Sequence, residues 1–263
     1  MRVYLTAARL SFRRYITYRS ATIAGLITNT CFGFIRAYIL LAMWHEKPHI
    51  GGYDAADAVT YVFLTQGLTT PIGIFFGSTE LGLRIRTGEV ATDLYRPCDF
   101  QLWFLALDVG RAVAGLVLRT APPVVIGTLF FPTRLPAAPL PWLEFALSCT
   151  LGLLINFAIR YLVSLSAFWT LDERGSAALL LVVSMFFSGM IIPVAVMPGW
   201  LGALARTLPW SATLQVPIDV LLGTGTAGFL NALAFQLLWA AALIALGRAV
   251  TTAARRKTVV QGG

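Results

Sequence analysis

Charge is what this chain has least of. Only 12% of its 263 residues are Asp, Glu, Lys or Arg, while 57% are hydrophobic, far from the balance of a soluble domain. Histidine occurs twice, at His45 and His49, and lysine twice, at Lys47 and Lys257. With so few histidines there is no H-E-x-x-H cluster, and the adjacent Asp172-Glu173 would diverge on a helix, so neither metal-assisted nor paired-carboxylate catalysis has its residues. With no lysine after the required glycines there is no GxxxxGK[ST] phosphate loop. Three cysteines, Cys31, Cys98 and Cys149, lack paired spacing and give neither a disulfide framework nor a zinc site. The net charge of +8 does not indicate nucleic acid, because the basic residues are scattered at the ends of apolar runs, where lipid headgroups and topology account for them.

What is present is apolar length. Runs of about 20 residues, enough for a helical span, occur at 21–44, 57–79, 102–131, 142–170, 176–196 and 226–248. The reading is an all-α integral membrane protein of six spans in one domain, residues 1–263, whose third span should kink or break at Pro122-Pro123. Residues 1–19 carry five arginines; Arg2, Arg9 and Arg13 share a stripe with Thr6 and Thr17 opposite apolar faces, the pattern of an interfacial helix. Between the second and third runs lies a polar island, 82–101, with Arg84, Arg86, Glu89, Asp93, Arg96 and Asp99 inside it and Glu80 and Asp108 on its flanks. Thr87-Gly88-Glu89 reads as a helix start and Arg96-Pro97 as its end, giving a helix of about two turns. The plainer reading of these residues is a solvated loop.

Basic residues concentrate in the amino-terminal segment, the island, at Arg174 and at the carboxyl end, against Lys47, Arg134 and Arg206 on the other side. The positive-inside rule then places both termini and the island in the cytoplasm. The last outer connection, 197–225, is apolar but broken by prolines, which fits short helices dipping back into the outer leaflet.

Two constellations carry a resemblance. Ile85-Arg86-Thr87-Gly88-Glu89 with Leu94-Tyr95-Arg96-Pro97 is one; Ser188-Gly189-Met190-Ile191-Ile192-Pro193, Met197-Pro198-Gly199-Trp200-Leu201, Leu208-Pro209-Trp210 and Leu221-Leu222-Gly223 are the other. Together they resemble permease subunits of bacterial type 2 ABC exporters. The resemblance implies an amino-terminal interfacial helix, six spans, a cytoplasmic coupling helix between spans two and three, and re-entrant helices before span six. It also implies partners: two copies of an ABC nucleotide-binding subunit, which would bind the ATP and Mg this chain does not, and a second permease chain, the same or homologous, in the cytoplasmic membrane of a bacterium.

On that reading the ATPase-coupling interface is Arg86, Gly88, Glu89, Asp93, Arg96, Pro97 and Asp99, and Asp172, Glu173 and Arg174 form a second cytoplasmic contact. Gln66, Asn156, Met185, Phe186, Phe187, Met190 and Asn231 are candidates for a translocation path for an amphipathic or hydrophobic substrate; ordinary packing against helices or lipid is the alternative for the Phe and Met residues. Gly73 to Gly77 offers a close-approach helix face. An ion-coupled secondary transporter is the alternative function, with Arg36, Asp108, Arg111, Arg119, Glu144 and Arg160 as its ionisable candidates, though Asp108 and Arg111, three apart, read as a structural pair. A membrane-embedded enzyme is the remaining rival.

Overall fold

The computed structural model describes residues 2–17, 19–46, 51–225 and 228–258, and within them the chain is helical, with no strand. Lys47 and His49 lie outside the described residues. Helix α1, Arg2–Thr17, leads into α2, Arg19–Glu46. The small residues of α1 decide its contact: Ala7 and Ser11 are buried, the Ser11 hydroxyl donates to the Leu107 carbonyl at 2.6 Å, and Gly110 opposite has no side chain to block the Ala8 backbone. Leu5 and Leu10 remain exposed beside the arginines, as an amphipathic surface helix requires.

Helix α3, Ala55–Ile72, starts with a reciprocal capping box: Asp54 accepts from the Asp57 amide, and Asp57 accepts from the Asp54 amide. Arg134 pairs with both carboxylates, at 2.6 Å to Asp54 and 3.4 Å to Asp57, fixing this end of the bundle. Almost every residue of α3 is buried, including Thr60, Thr65, Gln66 and Thr69, so its polar side chains are sheltered by neighbouring helices. Gly73 ends α3 in the left-handed region, φ 93°, where a side chain would be strained and would collide with the Arg111 and Arg160 guanidiniums. The second run therefore stops short of 79, and 73–77 is not a helix face. Gly77 instead lets the chain approach the Ala177 backbone.

Two short helices follow, α4, Glu80–Arg86, and α5, Val90–Leu94, before α6, Phe100–Gly115. Helix α6 is not broken at Pro122-Pro123. A π turn, Leu116–Thr120, carries it directly into α7, Ala121–Phe130. Proline has no N–H to donate and clashes with the carbonyl four residues back, and the wider turn absorbs both defects without ending the helix.

The long helix α8, Pro139–Thr170, runs through the centre, closed at Leu171 by a left-handed residue. The fifth apolar run does not become one span. Helix α9 covers only Arg174–Phe187; at 1.5 Å per residue that is roughly 21 Å, short of a hydrocarbon core of about 30 Å. The chain then breaks at Ser188-Gly189, with Gly189 at φ 83°, and continues through α10, Gly199–Thr207, and α11, Gln215–Leu222, to α12, Gly228–Thr258. The broken stretch finds its partners on other elements: the Tyr61 hydroxyl donates to the Gly189 carbonyl at 2.9 Å, the Val194 amide donates to Gln215 Oε1 at 2.7 Å, and the Gln215 amide donates to the Ser188 carbonyl at 3.1 Å. Non-helical backbone inside an apolar bundle persists only where its polar groups are met in this way.

Four helical stretches are long and apolar enough to cross a membrane: Thr22–Glu46, Phe100–Phe130, Pro139–Thr170 and Gly228–Arg256. The two remaining candidate spans are represented by the shorter α3 and α9. The chain is a multi-pass membrane protein.

Candidate functional site

The polar island folds into the α4–α5 elbow at one end of the bundle. Thr87 and Gly88 close α4 rather than open α5: the Thr87 amide donates back to the Leu83 carbonyl at 2.9 Å, and Gly88 stands at φ 79°, the position where a helix end favours glycine. Helix α5 begins after Glu89, whose side chain caps nothing, and ends at Leu94, before Pro97. The helix is thus one turn rather than two.

The charges of the elbow divide into inward and outward groups. Asp93 is buried and joined to Arg84 and Arg96, the latter at 3.3 Å, so it holds the elbow together. Asp99 accepts the Leu102 amide at 2.8 Å and caps α6, while its own amide donates to the Tyr4 hydroxyl of α1 at 2.9 Å. Arg96 also lies over the Trp103 ring, 4.3 Å from its centroid. Glu89 stays 60% exposed with Arg84 at 3.4 Å, and Arg86 keeps a third of its side chain in solvent. Glu89, Arg86 and Tyr95, the last 90% exposed, form the outward surface.

Asp172 to Arg174, expected to form a second contact, meet this surface directly. Asp172 accepts two hydrogen bonds from Arg174 Nε and one from its Nη2, the last at 2.5 Å, and reaches Arg86 at 3.8 Å. These bonds hold the Asp172 carboxyl down at about 2. Glu173 is buried beside Gly82, where a side chain on the glycine would strike its carboxyl group. The elbow is therefore packed against the α8–α9 corner, which the sequence alone did not place next to it.

The candidate path residues are not brought together. Asn156 donates to the Ile72 carbonyl at 2.8 Å and so satisfies the last turn of α3. Gln66 is buried in α3, and Met190 lies in the core around Tyr61 with Met185 against it. Phe186 and Phe187 pack on Val194 and Ala205. Asn231 alone of the set lines a cleft, of about 520 Å³, at the end of the bundle opposite the elbow.

Between the two ends sits a buried triad that was only half expected. Asp108 accepts from Arg111 Nε at 2.7 Å, as the spacing of three predicts, and also from Arg160 of α8 at 2.6 Å. Arg111 donates further to the Thr70 and Pro71 carbonyls, at 2.5 and 3.1 Å, so the triad also caps the end of α3. An acid clamped between two guanidiniums is poorly placed to carry protons for a coupled carrier. Arg36 faces inward, donating to the Thr65 hydroxyl at 3.0 Å.

Sequence reading missed Asp219, the acid within Leu214-Gln215-Val216-Pro217-Ile218-Asp219-Val220-Leu221. The Tyr53 hydroxyl, Gln215 Nε2 at 2.9 Å and the Thr224 hydroxyl at 3.4 Å all converge on its Oδ1, and the Gln215 amide nitrogen also reaches the Tyr53 hydroxyl at 2.7 Å. A lone acid in an apolar outer segment was the available signal. No match is found among curated proteins. Over residues 25–262 the chain matches the family described as ABC-2 family transporter protein, and with nearly its whole length covered it belongs to that family as a membrane-embedded subunit of an ABC transporter.

Proposed function

We propose that this chain is the permease of a bacterial ABC exporter, docking a separate ATP-hydrolysing subunit on the α4–α5 elbow and providing the route for an amphipathic or hydrophobic substrate. The observation that carries this reading is the elbow: a short, internally cross-braced element that presents Glu89 and Arg86 outward while its inner side, at Gly82, packs on Glu173 of the α8–α9 corner. Such an element passes a push on its surface to several long helices as a rigid body, because packed cores shift between discrete arrangements rather than deforming smoothly. The sequence has no phosphate loop of its own, so ATP and Mg would sit on the partner, in two copies, with a second permease chain completing the path.

In this arrangement both termini and the elbow are cytoplasmic, α3 acts as the second span, α9 together with the non-helical stretch that follows it acts as the fifth, and α10 and α11 lie in the outer leaflet. The exposure of apolar side chains on α2, among them Ile27, Phe32 and Ile35, supports contact with lipid or the second permease.

The test measures ATPase activity and substrate efflux side by side in reconstituted vesicles, with recovery of the complex as control. Glu89→Lys places a repelling charge on the docking surface and should lower recovery. Pro97→Ala should spare assembly while loosening coupling between hydrolysis and efflux. Wild-type behaviour of both variants in all three measurements would remove the elbow from the mechanism.

A further inference from the structure

The cleft opposite the elbow lies between the start of α8, α11 and the start of α12, with Gly51 and Tyr53 on its rim. Its volume of about 520 Å³ is that of a small-molecule site. Val216, Phe229 and Phe235 give it an apolar wall, and among the described residues its charged side chains are Glu144, Asp219 and Arg206. Two carboxylates against one guanidinium leave it acidic, in a chain that is otherwise strongly basic.

The two acids differ in how they are held. Among the described residues the donors to Asp219 converge on Oδ1, so the network that orients this carboxylate leaves Oδ2 to accept from a ligand. Such preorganisation means that little side-chain freedom is lost when a cation arrives. Glu144 is half-buried near the start of α8, and Arg206, exposed on α10, is the only cation lining the cleft among the described residues.

We infer that this cleft binds an organic ammonium or similar lipophilic cation, its charge between Asp219 and Glu144 and its apolar body against Val216, Phe229 and Phe235. This deepens the exporter reading by giving its substrate route a chemical class, and it rests on that reading for its role in transport. Aromatic walls add to the preference for cations through their negative faces. Burial pushes the Asp219 carboxyl up to about 6, against the opposing pull of its hydrogen bonds from Tyr53, Gln215 and Thr224 and of the Arg206 charge. The cation should accordingly be held at pH 7.5 and released as pH falls below 6, with Glu144, Arg206 and Tyr53 the other titratable groups facing the site.

The experiment uses the full chain in dodecyl maltoside, without ATPase or nucleotide, and measures equilibrium binding of tetraphenylphosphonium and of its near-isosteric anion tetraphenylborate. Wild type should prefer the phosphonium. Asp219→Asn, which keeps an oxygen for the Tyr53, Gln215 and Thr224 donors, and Glu144→Gln should each weaken phosphonium binding by about tenfold, and Arg206→Gln should strengthen it. Circular-dichroism melting of each variant separates lost charge from lost fold, and Glu144→Gln serves as the second acid variant where Asp219→Asn melts early.

A short-chain phosphatidylethanolamine competitor separates the sources: displacement of the phosphonium assigns the site to a lipid headgroup amine, and no displacement assigns it to a free amphiphile. Equal binding of cation and anion, or unchanged phosphonium binding in both acid variants, overturns the inference. Because no ATPase is present, that failure would leave the coupling role of the elbow standing.

Discussion

Asp108 and Asp93 are each gripped by two arginines, yet the two clusters do different work. Around Asp108 the partners Arg111 and Arg160 are 4% and 2% exposed; around Asp93 the partners Arg84 and Arg96 are 21% and 37% exposed. The carboxylates themselves are nearly equal in burial, so the difference lies in where the guanidiniums can go. In the first cluster they are almost wholly withdrawn from water and serve as fixed parts of the core, bonded also to the end of α3. In the second they sit at a rim beside the exposed Glu89. One aspartate with two arginines thus makes a lock in one place and a brace under an exposed surface in the other.

Removing the central acid is the sharpest way to break this comparison. Asp108→Ala strands two buried cations and should cost about 3–5 kcal/mol of stability, read as a loss of folded yield and an early transition in detergent melting. Asp93→Ala should cost less, about 1–2 kcal/mol, because Arg84 and Arg96 can turn to solvent. If the two variants melt together, access to water is not what separates the clusters.

Glu89→Lys sharpens the contrast from the other side. Its effect on the stability of the chain alone should stay within about 0.5 kcal/mol, as for other exposed charges, while recovery of the ATPase falls. A variant that melts early would mean that Glu89 braces the fold and does not face a partner.

The smallest effect is expected from pH at Asp172. Its carboxyl is held down at about 2, below the ordinary aspartate range, by the bonds from Arg174, so the folded group titrates below the unfolded one. Whatever Asp172 contributes is fully present above the unfolded value and is lost only as pH falls through the folded one. Complex recovery between pH 5 and 8 should not change through this residue, whereas added salt should lower it by screening Asp172, Arg174 and Arg86.

Much of this architecture was legible in composition. Apolar length found the stretches that became α2, α6 with α7, α8 and α12, and charge scarcity made the island stand out. The spacing of Asp108 and Arg111 gave their pair, but Arg160 joins them from a residue 52 positions away, and no local pattern encodes that. The fifth run looked continuous because Ser188 to Val194 is apolar; what lets it break is a set of bonds from Tyr61 and Gln215, remote in sequence. Thr87 was assigned to the wrong helix because the residues that cap a helix start and those that close a helix end overlap when only three residues, Thr87 to Glu89, separate the two helices. The elbow's charges were visible as a group, but which ones turn inward depends on packing against Trp103, Tyr4 and Arg84.

The π turn at Leu116–Thr120 has a consequence beyond tolerating two prolines. It holds one residue more than an α-helical turn would, so the faces on its two sides are out of phase by about 100° relative to a continuous helix. On the far side Gly127 lies against the Phe63 ring, within the turn the Thr120 hydroxyl donates to the Gly67 carbonyl at 3.0 Å, and on the near side Gly110 lies against α1. Gly110 is thereby turned to α1 and Gly127 to Phe63 within one unbroken helix, a pairing of faces that a regular α-helix of the same length would not give.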